Sequence, residues 1–168
     1  MVKKFKRRGA QKTASRSSRL FQRGLVILVI AVGIVGAFLS QRNLPCQEFY
    51  RQDAVVSSIS SDIPVEVAKT LPDQAKGLAG RACIGDKQGL LFVYDKLGDY
   101  KFWMKGLRFP IDIIWIGADK KVVTVKSRLK PSTYPKTFGP SAPAQYVLEL
   151  KAGEAERLGI IPGATLIF

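Results

Sequence analysis

The sequence predicts a mainly β protein: a small β-sandwich or barrel-like domain with two short helices, preceded by one transmembrane helix. Three observations predict it. Seven short runs rich in β-branched and aromatic residues follow one another between residues 64 and 168, and only two stretches there carry helix-start signals. Near the N-terminus, seventeen successive residues carry no charge.

That uncharged stretch is Gly24 to Ser40, GLVILVIAVGIVGAFLS. At about 1.5 Å per residue it covers roughly 25 Å of an approximately 30 Å hydrocarbon core, so Leu20 and Phe21 must join it while Arg23 snorkels outward. Residues 1–23 form a basic tail with nine Lys and Arg and no acidic residue, whereas Arg42 alone follows the apolar segment directly. By the positive-inside rule the tail is cytoplasmic and the remainder extracytoplasmic, in a single-pass protein of the cell membrane. Membrane lipid is then a partner, through residues 20–40 and through attraction of the tail to anionic headgroups. The alternative is a cleaved signal peptide, with secretion after a cut near Ala37, because Val35, Gly36 and Ala37 present small residues after an apolar run. Continuation of that run through Phe38 and Leu39 favours retention.

The formal charge of +14 does not imply a nucleic-acid partner, because it is unevenly placed. Outside the tail, 18 basic and 13 acidic side chains leave +5 with no long block of one sign. Residues 41–62 are polar, end in the serine-rich SSISSD, and read as a spacer. The β-rich domain is expected over 63–168. Its strands are expected at Pro64–Ala68, Leu90–Tyr94, Tyr100–Lys105, Ile111–Ile116, Val122–Lys126, Gln145–Leu150 and Ala164–Phe168, with GADKK (residues 117–121) as a hairpin turn. One short helix should start at Thr70, with Pro72 and Asp73 in its first turn. The other should span residues 153–158 and end at Gly159. Four prolines between Lys130 and Ala144 make an irregular segment, either a binding loop or a stiff crossing.

Histidine is absent, which excludes nucleophile systems built on Ser-His-Asp or Cys-His and the usual zinc sites. Nothing in the sequence calls for a metal or a cofactor. Cys46 and Cys83, the only cysteines and both on the oxidising side, form a possible disulfide. In KFWMK, strand alternation sends Phe102 and Met104 inward and sets Lys101, Trp103 and Lys105 on the other face, an aromatic plane flanked by cations. Asp112 is the only charge in the apolar FPIDIIWI and needs a partner such as Lys105, Arg81 or backbone amides. With Glu149 it forms the candidate catalytic pair.

GLAGR, GLLFVY, KFWMK, FPIDIIWI, QYVLEL and RLGIIPG occur in that order between Gly77 and Gly163. Together they resemble the family called domain of unknown function 192 (DUF 192) over about residues 63–168. The resemblance implies a compact β-rich domain, often exported or anchored, and no established activity. Family members usually read Met-Lys-Asn-Thr where this chain has Met104, Lys105, Gly106 and Leu107. Arg81, Trp103, Lys105, Asp112, Tyr146 and Glu149 fall on the family's recurrent polar and aromatic positions, and the first five are the candidate ligand-binding residues. The expectation is a binding module for a small polar or anionic ligand or an envelope protein. The alternatives are a histidine-free hydrolase or lyase using Asp112 and Glu149, and a structural partner of a membrane protein complex.

Overall fold

The computed structural model describes Cys46 and residues 50–168. The basic tail and the expected span Gly24–Ser40 lie outside the described residues. Among the described residues no helix is long and apolar enough to cross a membrane.

Among the described residues eight strands and two short α-helices follow in order: β1 (Ala54–Ser57), β2 (Asp62–Ala68), α1 (Leu71–Lys76), β3 (Gly89–Gly98), β4 (Phe102–Trp103), β5 (Ile111–Ile116), β6 (Val122–Leu129), β7 (Thr137–Phe138), β8 (Ala144–Lys151) and α2 (Glu154–Arg157), with a 3-10 turn at Pro131–Thr133 between β6 and β7. Six of the strands form one sheet in the order β1-β2-β3-β8-β5-β6, while β4 and β7 pair separately. The β2–β3 pair is parallel and the other neighbours are antiparallel, so the sheet is mixed. A parallel pair needs a crossover, and residues 69–88 supply it with α1 inside.

The architecture therefore differs from a two-sheet sandwich around one core. Here one sheet carries a core on each face. Leu91, Ile114, Ile116, Leu148 and Leu150 face one cluster, closed over by Ala155, Leu158, Ile160 and Leu166. Their sequence neighbours Leu90, Phe92, Ile113, Trp115 and Val147 face the other, closed over by Leu78, Ile84 and Met104. All six residues of β5 are buried. A run as apolar as IDIIWI, broken only by Asp112, suits a strand covered on both faces, and each fully buried Ile contributes about 1.5–3 kcal/mol.

Local chemistry sets the element ends. The Thr70 hydroxyl accepts from the Asp73 amide at 3.3 Å, capping α1. Residues 117–121 turn β5 into β6, with the Gly117 N–H donating to Lys121 O at 2.8 Å. Gly159 follows α2 at φ +67°.

Three expected elements change. The spacer assigned to residues 41–62 contains β1, whose pairing with β2 buries Val56. SSISSD is the turn between them, with Ser60 Oγ donating to Leu158 O at 2.8 Å. The expected strand Tyr100–Lys105 shrinks to Phe102–Trp103, since it pairs only with the two residues of β7. The expected last strand, Ala164–Phe168, makes isolated bridges instead, to Ser57 on β1 and to Lys121 beside β6. The chain end thus links the two edge strands of the sheet, the one respect in which the fold approaches a barrel.

Candidate functional site

Alternation along three neighbouring strands sets up the site. Glu66 on β2 stands opposite Leu90 on β3, and Leu90 opposite Glu149 on β8. All three side chains therefore point to the same face, with the two glutamates roughly 10 Å apart at the backbone. Their surroundings differ. Glu66 receives a two-pronged ion pair from Arg81, at 2.6 and 2.8 Å. Such a fork between planar groups is strong, and it holds the loop after α1 against the sheet. Glu149 has no such partner. Among the described residues, its Oε2 is a buried side-chain oxygen without any hydrogen bond. Burial pushes the Glu149 carboxyl up to about 8, and only the Arg81 charge pulls against it. At neutral pH that carboxyl is therefore largely protonated, and its Oε2 has no hydrogen-bond partner among the described residues.

Glu149 lies on the floor of a cleft of about 230 Å³, walled by Gln74, Lys76 and Gly77 of α1 and its end, Phe92 and Tyr94 of β3, and Lys101, Phe102, Trp103 and Lys105 around β4. Gly77 sits at φ +50°, and a Cβ there would lie 3.4 Å from Phe92 Cζ and 3.8 Å from Glu149 Oε2. A side chain at this position would therefore narrow the cleft as well as strain the turn. On its other side, Gly77 borders a second cleft of about 280 Å³ that holds Arg51, Glu66 and Arg81.

An aromatic stack carries β4 over the sheet. Phe102 meets Phe92 edge-on at 4.9 Å and Trp115 at 6.0 Å, while Trp115 Nε1 donates to Tyr100 O at 2.7 Å. Met104 is buried and Trp103 is 51% exposed, the two-sided arrangement expected from alternation. The Trp103 ring rests edge-on against Tyr134 of the proline segment at 5.7 Å, with Lys105 Nζ 5.3 Å from its centroid. Gly106 follows at φ +72°, a left-handed conformation that asparagine also tolerates, so the departure from Met-Lys-Asn-Thr at this position keeps the turn. Its carbonyl accepts from Gly80 N at 2.9 Å.

The six candidates do not form one site. Trp103, Lys105 and Glu149 share the first cleft, and Arg81 lines the second. Asp112 and Tyr146 point to the opposite face. Asp112 pairs with Leu150 in the β5–β8 register, whereas Glu149 pairs with Ile113. A one-residue offset in a pleated sheet reverses the side, so the two carboxylates cannot act on one substrate. Asp112 is also fully used: its Oδ1 accepts from Arg128 N at 2.7 Å, and its Oδ2 from Gly153 N and Ala155 N, both at 2.9 Å. The partners are backbone amides, not Lys105 or Arg81. Tyr146 packs edge-on against Phe168 at 5.0 Å, and Lys120 Nζ lies 3.4 Å from the Tyr146 ring centroid. Cys46 and Cys83 are joined by a disulfide, Cα atoms 5.4 Å apart.

The DUF192 family, described as "Uncharacterized ACR", matches residues 54–168, which is the whole of the sheet just described. The chain belongs to this family. Its match begins at β1, so the DUF192 domain includes the strand that the sequence reading assigned to a spacer. Two solved structures are similar to it. One is a protein of unknown function from Novosphingobium aromaticivorans DSM 12444, 33% identical, covering 68% of this chain and 82% of its own, with a TM-score of 0.62. The other, from Sinorhizobium meliloti 1021, is described as a "putative transcription regulator" and is 30% identical, covering 67% of this chain and 91% of its own, with a TM-score of 0.64. No curated relative matches.

Sequence reasoning missed Glu66, Tyr94 and Lys76 as parts of the DUF192 clefts. Glu66 was detectable by the argument applied to Asp112, since it too is a lone carboxylate within an apolar run, IPVEVA. Tyr94 and Lys76 carry no such signal. Their place depends on how the crossover folds over β3.

Proposed function

We propose that this chain is a membrane-anchored, extracytoplasmic binding module that holds a small polar or anionic ligand, free or carried by an envelope partner, in the cleft over Glu149. The observation that carries this reading is the unpartnered Oε2 of Glu149 at the floor of that cleft. A buried polar atom without a hydrogen bond costs about 1–3 kcal/mol, and a ligand that accepts a hydrogen bond there relieves that cost. Trp103 offers a half-exposed ring for stacking at the mouth, and Lys76, Lys101 and Lys105 supply positive charge around it. Anchoring and outward placement rest on the charge asymmetry around Gly24 to Ser40.

A second reading has one observation in its favour. A carboxyl pushed up to about 8 is suited to general acid catalysis, so Glu149 alone could serve a hydrolase or lyase. Asp112 has no part in that reading, because it lies on the other face. Thermal-shift screening of the full-length protein with small acids, sugars and nucleotides tests binding. Under the first reading a hit is lost in Trp103→Ala and Lys105→Ala and is returned unchanged after incubation; consumption of the hit supports the second. For the topology, protease added to spheroplasts should digest residues 42–168 while a cytoplasmic control survives. Complete protection of both sinks the outward placement.

A further inference from the structure

We infer that the ligand of the Glu149 cleft is a small ring-bearing organic carboxylate, and that it binds through a hydrogen bond donated by the Glu149 side chain, so that binding requires that side chain to hold its proton. This deepens the binding reading and rests on it. The alternative chemistry for a buried acid among aromatic rings is a cationic ligand, with Glu149 as its counter-ion and Phe92, Tyr94, Phe102 and Trp103 as its cage. The charges around the cleft decide against it.

The groups facing Glu149 come from every element packed on this side of the sheet. Lys76 comes from α1, Lys101 and Lys105 from the β4 segment and Tyr94 from β3, while Arg81 of the loop after α1 acts on Glu149 from the neighbouring cleft, where it is paired with Glu66 of β2. Glu66 is occupied by Arg81, and Lys101 is shared with Asp99 at 3.4 Å. Burial pushes the Tyr94 hydroxyl up to about 12, so it stays neutral. Among the described residues Lys76 and Lys105 enter no ion pair, while the floor carries a carboxyl that burial keeps largely protonated at neutral pH. A cation entering would meet like charge at the rim and no counter-ion on the floor. A carboxylate would meet lysine donors at the rim and, through its second oxygen or a neighbouring carbonyl, an O–H donor below. The ring requirement comes from Trp103, half exposed, with Lys105 Nζ over its ring at 5.3 Å from the centroid. A ligand reaching both must present a flat or apolar surface next to its charge.

The proton stays on Glu149 throughout. Above its titration range the site must take a proton from solvent to bind, and an ionised Glu149 would repel the ligand as well. With titration at about 8, affinity should be nearly constant from pH 6 to 7 and roughly tenfold weaker at pH 9.

The test uses the full-length protein in neutral detergent, titrated calorimetrically at pH 6, 7.5 and 9 with D-glucuronate and benzoate. D-glucose and benzyl alcohol serve as their neutral counterparts. Expected are saturable binding of at least one carboxylate, at least tenfold preference over its neutral counterpart at pH 6, and the tenfold fall at pH 9. Glu149→Gln has a side chain that cannot ionise, so the ratio of its affinities at pH 6 and pH 9 should stay within about twofold. Several outcomes overturn the inference: an affinity that rises with pH, a fall that persists in Glu149→Gln, or equal binding of charged and neutral probes. If the neutral probes bind and Trp103→Ala abolishes this, the binding reading stands and the carboxylate inference falls. If none of the four probes binds, the carboxylate inference falls, and the binding reading then depends on the thermal-shift screen.

Discussion

Replacing Asp112 by asparagine separates structure from function more cleanly than any other single change. Asp112 is fully buried and accepts three backbone N–H bonds on two oxygens, one from Arg128 and two from the start of α2. Asparagine has one carbonyl oxygen. If it faces Gly153 and Ala155, its NH2 meets the Arg128 N–H donor to donor, and that amide loses its acceptor. The orphaned donor costs about 1–3 kcal/mol, and reducing two charge-assisted bonds to neutral ones costs about 1 kcal/mol each. Relief from burying a charge offsets part of this, leaving a net loss of roughly 3 kcal/mol. For a domain of this size that is on the order of 10 °C in Tm. Urea unfolding followed by tryptophan fluorescence should show the midpoint falling by roughly 2 M with little change in slope. Ligand binding below the melt should be unaffected, because the Glu149 cleft is on the other face. A loss under about 1 kcal/mol would refute the capping argument, and lost binding at unchanged stability would make Asp112 a site residue.

The disulfide closes a loop across 37 positions, so reduction should cost on the order of 3 to 4 kcal/mol, and alkylation of unreduced protein followed by intact mass should label neither cysteine. Phe102→Ala removes a ring packed on Phe92 and Trp115 and should cost about 3 kcal/mol, whereas Trp103→Ala, half exposed, should cost under 1; equal losses in thermal melts would show that Trp103 is core. The Glu149 carboxyl titrates at about 8 folded against the ordinary 4.5. The folded state therefore binds the proton more tightly, and stability should be full below about pH 4.5 and fall as pH rises towards 8, by several kcal/mol at most. Glu149→Gln should flatten that slope in urea melts at pH 5, 6.5 and 8; an unchanged slope assigns it to another group.

Much of the β pattern is legible in the sequence because it depends on neighbours a few residues apart. The cores of β3, β5, β6 and β8, the Thr70 cap, the 117–121 turn and the alternation in KFWMK all follow from local spacing. What fails depends on distant partners. AVVS is too short and too plain to read as a strand, and it becomes one because β2 is beside it and Ile167 bridges its end. Tyr100–Lys105 has the composition of a six-residue strand, yet β7 offers only Thr137 and Phe138 to pair with. The parallel β2–β3 pairing, which turns an expected sandwich into one two-faced sheet, leaves no mark within either strand.

The pairing of Asp112 with Glu149 fails for the same reason, and the failure is informative. Alternation fixes which neighbours share a face within β5 and within β8, but only the register between them, Ile113 against Glu149, says that the two acids are on opposite sides. Once separated, they show two solutions to one physical problem. On one face the fold meets a buried carboxylate with three amides, and the carboxylate in turn fastens α2 to the sheet. On the other it leaves a carboxyl among Leu90, Phe92 and Ile113 with one oxygen unmet, although an apolar residue of similar length would fill that wall without cost. The first acid is accounted for by the stability it gives. The second detracts from stability at neutral pH, so its role has to be sought in the cleft it faces.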